Sequence, residues 1–80
     1  MLIEDFVISG STRNNQYFIE VSMSLLTDSY SDVVLLVWKN EAGNSVLIHS
    51  HIMVNTSEDP NKLFQFYLAK FNLREAHLWW

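Results

Sequence analysis

The sharpest chemical signal in the chain is His49-Ser50-His51, set in a run from Ser45 to Thr56 that holds no Lys, Arg, Asp, Glu or Pro. Two histidines at i and i+2 on a strand project from one face, about 7 Å apart at Cα. That spacing can serve a divalent metal. Glu20, on the polar side of an earlier strand, can add a carboxylate, and zinc accepts a His-His-carboxylate set with water in the fourth position. His77 joins them only if the C-terminal segment folds over that face. No spacing in the sequence fixes a third ligand, so a metal at His49, His51 and Glu20 is the alternative reading. The plainer one is two histidines on a sheet face, with a pH-sensitive contact as a third, because histidine titrates near pH ~6.5. No cofactor is expected.

Other chemistries find less support. The chain has no cysteine, and its two glycines, Gly10 and Gly43, are too far apart to form a phosphate loop. There is no Gly-x-Ser-x-Gly elbow. Glu4-Asp5 and Glu58-Asp59 are adjacent acid pairs, but the second suits a helix start better than acid–base catalysis. A chain of 80 residues can hardly enclose a substrate pocket and keep a core. The expectation is a protein that is not an enzyme. Trp79-Trp80, with Trp38, Phe64 and Tyr30, instead suggests aromatic anchors for an interface. The competing reading packs one of the terminal tryptophans against the fold.

Composition narrows the partner. Nine acids against five bases give a formal charge of −4. Arg13, Lys39, Lys62, Lys70 and Arg74 form no basic stripe, so no nucleic-acid footprint is present. The acids are too dispersed for a mimic of DNA. Met1-Leu2-Ile3-Glu4-Asp5 lacks the basic and apolar regions of a secretory signal, and no run approaches the ~20 apolar residues that cross a bilayer. Asn55-Thr56-Ser57 matches a glycosylation acceptor, which has no meaning without export. These features predict a cytoplasmic protein with no membrane contact.

The elements follow from patterning. Residues 1–80 read as a single domain with strands at about 2–9, 16–26, 33–39 and 45–55 and a helix at about 60–73, with a continuation toward 78 left open. The second strand alternates, with Tyr17, Ile19, Val21, Met23 and Leu25 on one side. Asn40-Glu41-Ala42-Gly43 suits a type I turn with Gly43 left-handed in a bulge. That closure sets Trp38 opposite Val46, Leu36 opposite Ile48 and Val34 opposite Ser50. It leaves Val33, Leu35 and Val37 on the other face with His51, His49 and Leu47. Asp59-Pro60 starts the helix, Asp59 as N-cap and Pro60 at the first helical position. Leu63, Phe64, Phe66, Tyr67, Leu68 and Phe71 then form a wide apolar arc. The predicted fold is α+β, a four-stranded antiparallel sheet in the order β-β-β-β-α with one C-terminal amphipathic helix packed on one face. The expected helix-bearing face holds Tyr17, Ile19, Val21, Val34, Leu36, Trp38, Val46, Ile48 and Ile52.

A meander leaves the fourth strand at an edge, and its uncharged run lacks the usual protection against pairing with another chain. The leading expectation is a small protein-interaction module: an inhibitor, regulator or accessory subunit of a larger complex. Its expected contacts are Leu47, His49, His51 and Met53 on the fourth strand, Val33, Leu35 and Val37 beside them, and Trp79 and Trp80. A homodimer formed by pairing fourth strands across a two-fold axis is the expected self-association. A metal- or small-ligand-binding domain using the His-x-His strand is the alternative. No motif is specific enough to carry a resemblance to a known family.

Overall fold

A computed structural model describes residues 5–77, with the side chains of Asp5 and His77 left aside. Trp79 and Trp80 lie outside the described residues. Four strands, β1 (Asp5–Ser11), β2 (Tyr17–Leu25), β3 (Ser31–Glu41) and β4 (Asn44–Thr56), precede one helix, α1 (Pro60–His77). The strands form one antiparallel sheet in the order β1-β2-β3-β4, so the α+β meander is as the patterning predicts and β4 is an edge.

Which face carries the helix differs from expectation, and two turns explain why. Between β2 and β3, Leu25 pairs with Ser31. The loop between them is closed by the Tyr30 carbonyl, which accepts from Leu26 N–H and Thr27 N–H. The Thr27 hydroxyl accepts in turn from Ser29 and Tyr30 N–H at 3.3 and 3.0 Å, a hydroxyl-capped turn. That closure sets Ile19 opposite Val37, Val21 opposite Leu35 and Met23 opposite Val33. Residues directly opposite share a face, so Val33, Leu35 and Val37 join the strong apolar side of β2. Val34, Leu36 and Trp38, expected under the helix, lie on the far side.

The β3–β4 turn is tighter than expected. Glu41 pairs with Asn44, and the two residues between them are both left-handed, Ala42 at φ 51° and Gly43 at 84°. This is the geometry of a two-residue type I′ hairpin, whose twist matches the strands. It puts Trp38 opposite Leu47 rather than Val46. Beyond it Ile48 is an extra residue, since Trp38 pairs with Leu47 and Val37 with His49. A second irregularity falls near Asn55, at φ 52°, where the Asp32 carboxylate accepts its N–H at 2.9 Å. Between the two bulges β4 is regular from His49 to Met53.

The helix starts as its sequence dictates. Asp59 caps it through Asn61 N–H at 2.9 Å, and Pro60 leads the first turn. It lies over β2 and β1 and seals a core of Tyr17, Ile19, Val21, Val33, Leu35, Val37, Phe64 and Phe71. Tyr17 and Phe71 meet with ring centroids 4.9 Å apart. Gly10 permits the close approach: a Cβ there would stand 3.1 Å from the Phe64 ring. The inner stripe ends on Glu75, which is 2% exposed.

Candidate functional site

Glu75 ties the helix to the β1–β2 loop. Its carboxylate accepts from the Thr12 hydroxyl, from Asn14 N–H at 2.7 Å and from Gln16 N–H at 3.0 Å. The Asn72 side-chain oxygen takes Arg13 N–H at 3.0 Å. Burial opposes the charge on Glu75, but these three donors outweigh it and hold its carboxyl below the usual carboxylate range. The arrangement is a clasp between loop and helix. Every buried side-chain polar atom among the described residues has a partner.

Among the described residues, nothing covers the face opposite the helix. On it the register brings Phe18 opposite Trp38, Trp38 opposite Leu47, and Val34 opposite Ile52, with Leu36 between Val34 and Trp38 on β3. These six side chains form one apolar stripe across β2, β3 and β4. Phe18 is 39% exposed, Leu47 46% and Ile52 65%, and the β3 members are half-buried. Glu20, Ser22 and Ser24 border it along β2, and Ser50, opposite Leu36, interrupts it on β4 between Leu47 and Ile52. By strand spacing the stripe covers roughly 200 Å² of projected sheet. An apolar centre with a polar margin is the anatomy of a protein interface.

β4 is open in a different sense. The helix touches it only along one side, where Tyr67 stacks on His49 and Met53 packs against the core, so of its residues only Met53 and Thr56 are even half-buried. Its edge hydrogen-bonding groups face no other strand in the sheet.

The residues singled out by sequence fall into separate places. His49 and His51 lie on the helix side of β4, both exposed, with His49 stacked on Tyr67 at 5.8 Å. Met53 shares that side, half-buried, while Leu47 belongs to the opposite stripe. Val33, Leu35 and Val37 are 0% exposed; they are core beneath the helix, a correction to their expected place on a contact surface. Glu20 pairs with Leu36 on the uncovered face, across the sheet from the histidines and with β3 between. It therefore cannot complete a ligand set with them. No group of three or more His, Cys, Asp or Glu able to hold a metal occurs among the described residues. The side chain of His77 and the Trp79-Trp80 pair lie outside those described.

Sequence reasoning missed the stripe as a surface and missed the Glu75 clasp. The first depends on which face of β3 meets β2, which is set by hydrogen bonds within the loop between them. The second had a legible signal, since Glu75 follows Phe64, Leu68 and Phe71 on one helical stripe. Among the described residues, no helix is long and apolar enough to cross a membrane. Comparison with protein-family models, curated proteins and solved structures returns no match for this chain.

Proposed function

We propose that this chain is a non-enzymatic protein-interaction module, acting as an inhibitor, regulator or accessory subunit by seating a globular partner on its uncovered sheet face. The apolar stripe Phe18-Val34-Leu36-Trp38-Leu47-Ile52 carries this reading. An antiparallel sheet exposed on one face ordinarily alternates apolar with polar. Here β3 is apolar on both faces and only one is covered. The chain is also spread thin: its radius of gyration is 14.0 Å, against about 11–12 Å for a compact chain of this length. Trp38 and Phe18 are the residue types that anchor interfaces. A standard interface takes about 800 Å² from each partner, so the stripe supplies its dry centre and the polar border the rest.

Capture from host extract tests this, comparing the natural chain with the double variant Leu47→Ser, Ile52→Ser, both exposed positions. Capture of one defined protein that the variant loses, with equal thermal stability of the two chains, is the expected result. Hydrogen exchange in the complex should slow at 34–38 and 47–52. Identical capture by both chains overturns the reading.

A second reading has its own observation. β4 is an uncharged edge, regular from His49 to Met53, and can pair with a second β4 across a two-fold axis to form a homodimer. Light scattering at ~100 µM decides it, a concentration well above typical interface dissociation constants. Mass of a dimer that Ser50→Pro halves supports edge pairing, and a monomer excludes it.

A further inference from the structure

On the helix side, near the hairpin end of β3 and β4, lies a cleft of about 300 Å³. Lys39, His49, Tyr67, Lys70, Phe71 and Arg74 line it, with Glu41 beside Lys39. In a chain with nine acids and five bases, three of those bases converge here from two separate elements. The sequence had them scattered; the fold gathers them.

Their surroundings leave them available. Lys70 Nζ stands 5.6 Å from the Tyr67 ring centroid, and the Arg74 guanidinium 5.8 Å from Phe71 and 6.0 Å from Tyr17. Ring faces hold a cation in place but occupy few of its N–H donors. The only ion pair among the described residues joins Lys39 to Glu41 at 3.6 Å. Lys70 and Arg74 therefore have no carboxylate partner among the described residues. The helix dipole favours cations toward the C-terminal end of α1. That accounts for Arg74, in the last turn, but not for Lys70 one turn earlier or for Lys39, which arrives from β3.

We propose that this cleft binds a small phosphate monoester carried on a flat apolar body. The cleft holds a net formal charge of plus two, which matches a dianion, whereas a monocarboxylate leaves one charge unmet. Arg74 offers a planar fork suited to phosphate oxygens, and Lys39 and Lys70 add point charges. Tyr67, half-buried at the cleft, supplies apolar surface for the organic part, and Phe71, 4% exposed, closes the floor. The volume sits at the small end of the range for ligand sites. The site is distinct from the uncovered face, on the other side of the sheet, and stands without it.

The test is titration of the isotope-labelled chain with phenyl phosphate, followed through the amide and side-chain resonances of Lys39, His49, Tyr67, Lys70 and Arg74. Saturable shifts confined to this cleft, with a dissociation constant below about 1 mM and weakening as salt rises, are expected. Benzoate should bind at least about tenfold more weakly. Lys70→Gln and Arg74→Gln should each weaken phenyl phosphate about tenfold, ~1.4 kcal/mol, and Lys62→Gln, an exposed lysine on α1 outside the cleft, should not. Absence of saturable shifts, shifts spread evenly over all bases, or equal affinity for benzoate overturns the proposal.

Discussion

One residue separates the two environments of β3. Val33, Leu35 and Val37 are sealed beneath the helix, while Val34, Leu36 and Trp38, each one position along, lie half-buried on the bare side. Both sets are apolar, and the strand would suit a sheet covered on both faces. The difference between the sets is one of cover and not of composition. A covered apolar face stabilises the chain that owns it, and on the proposed function the bare one of the same chemistry stabilises a complex. Substitutions on the two faces should therefore read out in different experiments.

The largest expected effect tests that division directly. Leu35→Ala opens a cavity in a sealed core and should cost about 2–4 kcal/mol. An 80-residue chain has on the order of 4–12 kcal/mol in total, so this variant should unfold at a much lower urea concentration than the natural chain. Leu36→Ser, its neighbour on the bare face, should cost below about 1 kcal/mol while weakening the partner's hold. Urea titration of both variants gives the comparison. Equal losses would mean that the bare face is structural, and the contrast between the faces would collapse.

Glu75 tests what holds the cover in place. Replacing the carboxylate by Glu75→Gln removes charge from three hydrogen bonds in a buried setting and should cost about 1–3 kcal/mol. The pH dependence has a definite sign. Because the folded carboxyl is held below its ordinary range, its contribution is complete above the unfolded carboxylate value of about 4.3. It is lost as pH falls through the lower folded value. Stability of the natural chain measured by thermal melting should therefore fall more steeply below pH ~4.5 than that of Glu75→Gln. A parallel fall in both would remove Glu75 from the clasp.

Gly10→Ala probes how closely that cover sits. The added methyl would meet the Phe64 ring at 3.1 Å, so the ring must shift by a few tenths of an ångström. A loss of about 1 kcal/mol is expected, visible as a melting point lower by roughly 4–8 °C. No change would mean that the helix rides loosely on β1.

The legibility of this fold from sequence divides along the same line. Element order, the Asp59-Pro60 helix start and the edge position of β4 were readable, since each depends on local chemistry: alternation, a cap, a meander. Which face the helix covers was not. That choice hangs on the Leu26–Tyr30 loop, where hydrogen bonds to the Tyr30 carbonyl and the Thr27 hydroxyl fix how β3 meets β2. Reversing that parity moves Val33, Leu35 and Val37 from contact surface to core. The His49–His51 pair was legible as a spacing, but the distance of Glu20 from it was not, because sheet faces are known only once register is known. The cleft was invisible for a related reason. Lys39 is far in sequence from Lys70 and Arg74 and meets them only when α1 crosses the sheet.

The hairpin turn offers the finest adjustment of the contrast between the faces. Its two central residues are both left-handed, and Ala42 holds φ 51° despite its Cβ, a conformation that costs an L-residue roughly 1 kcal/mol. Ala42→Gly relieves that strain but also loosens the unfolded chain. A net stabilisation of a few tenths to about 1 kcal/mol is expected, read from the urea midpoint. The two-residue turn holds Trp38 opposite Leu47 and so keeps both in the stripe. A better turn should therefore leave partner binding unchanged or tighter. If Ala42→Gly destabilised the chain, the entropy gained by the unfolded chain would outweigh the strain relieved, and Ala42 would hold its left-handed conformation at little cost.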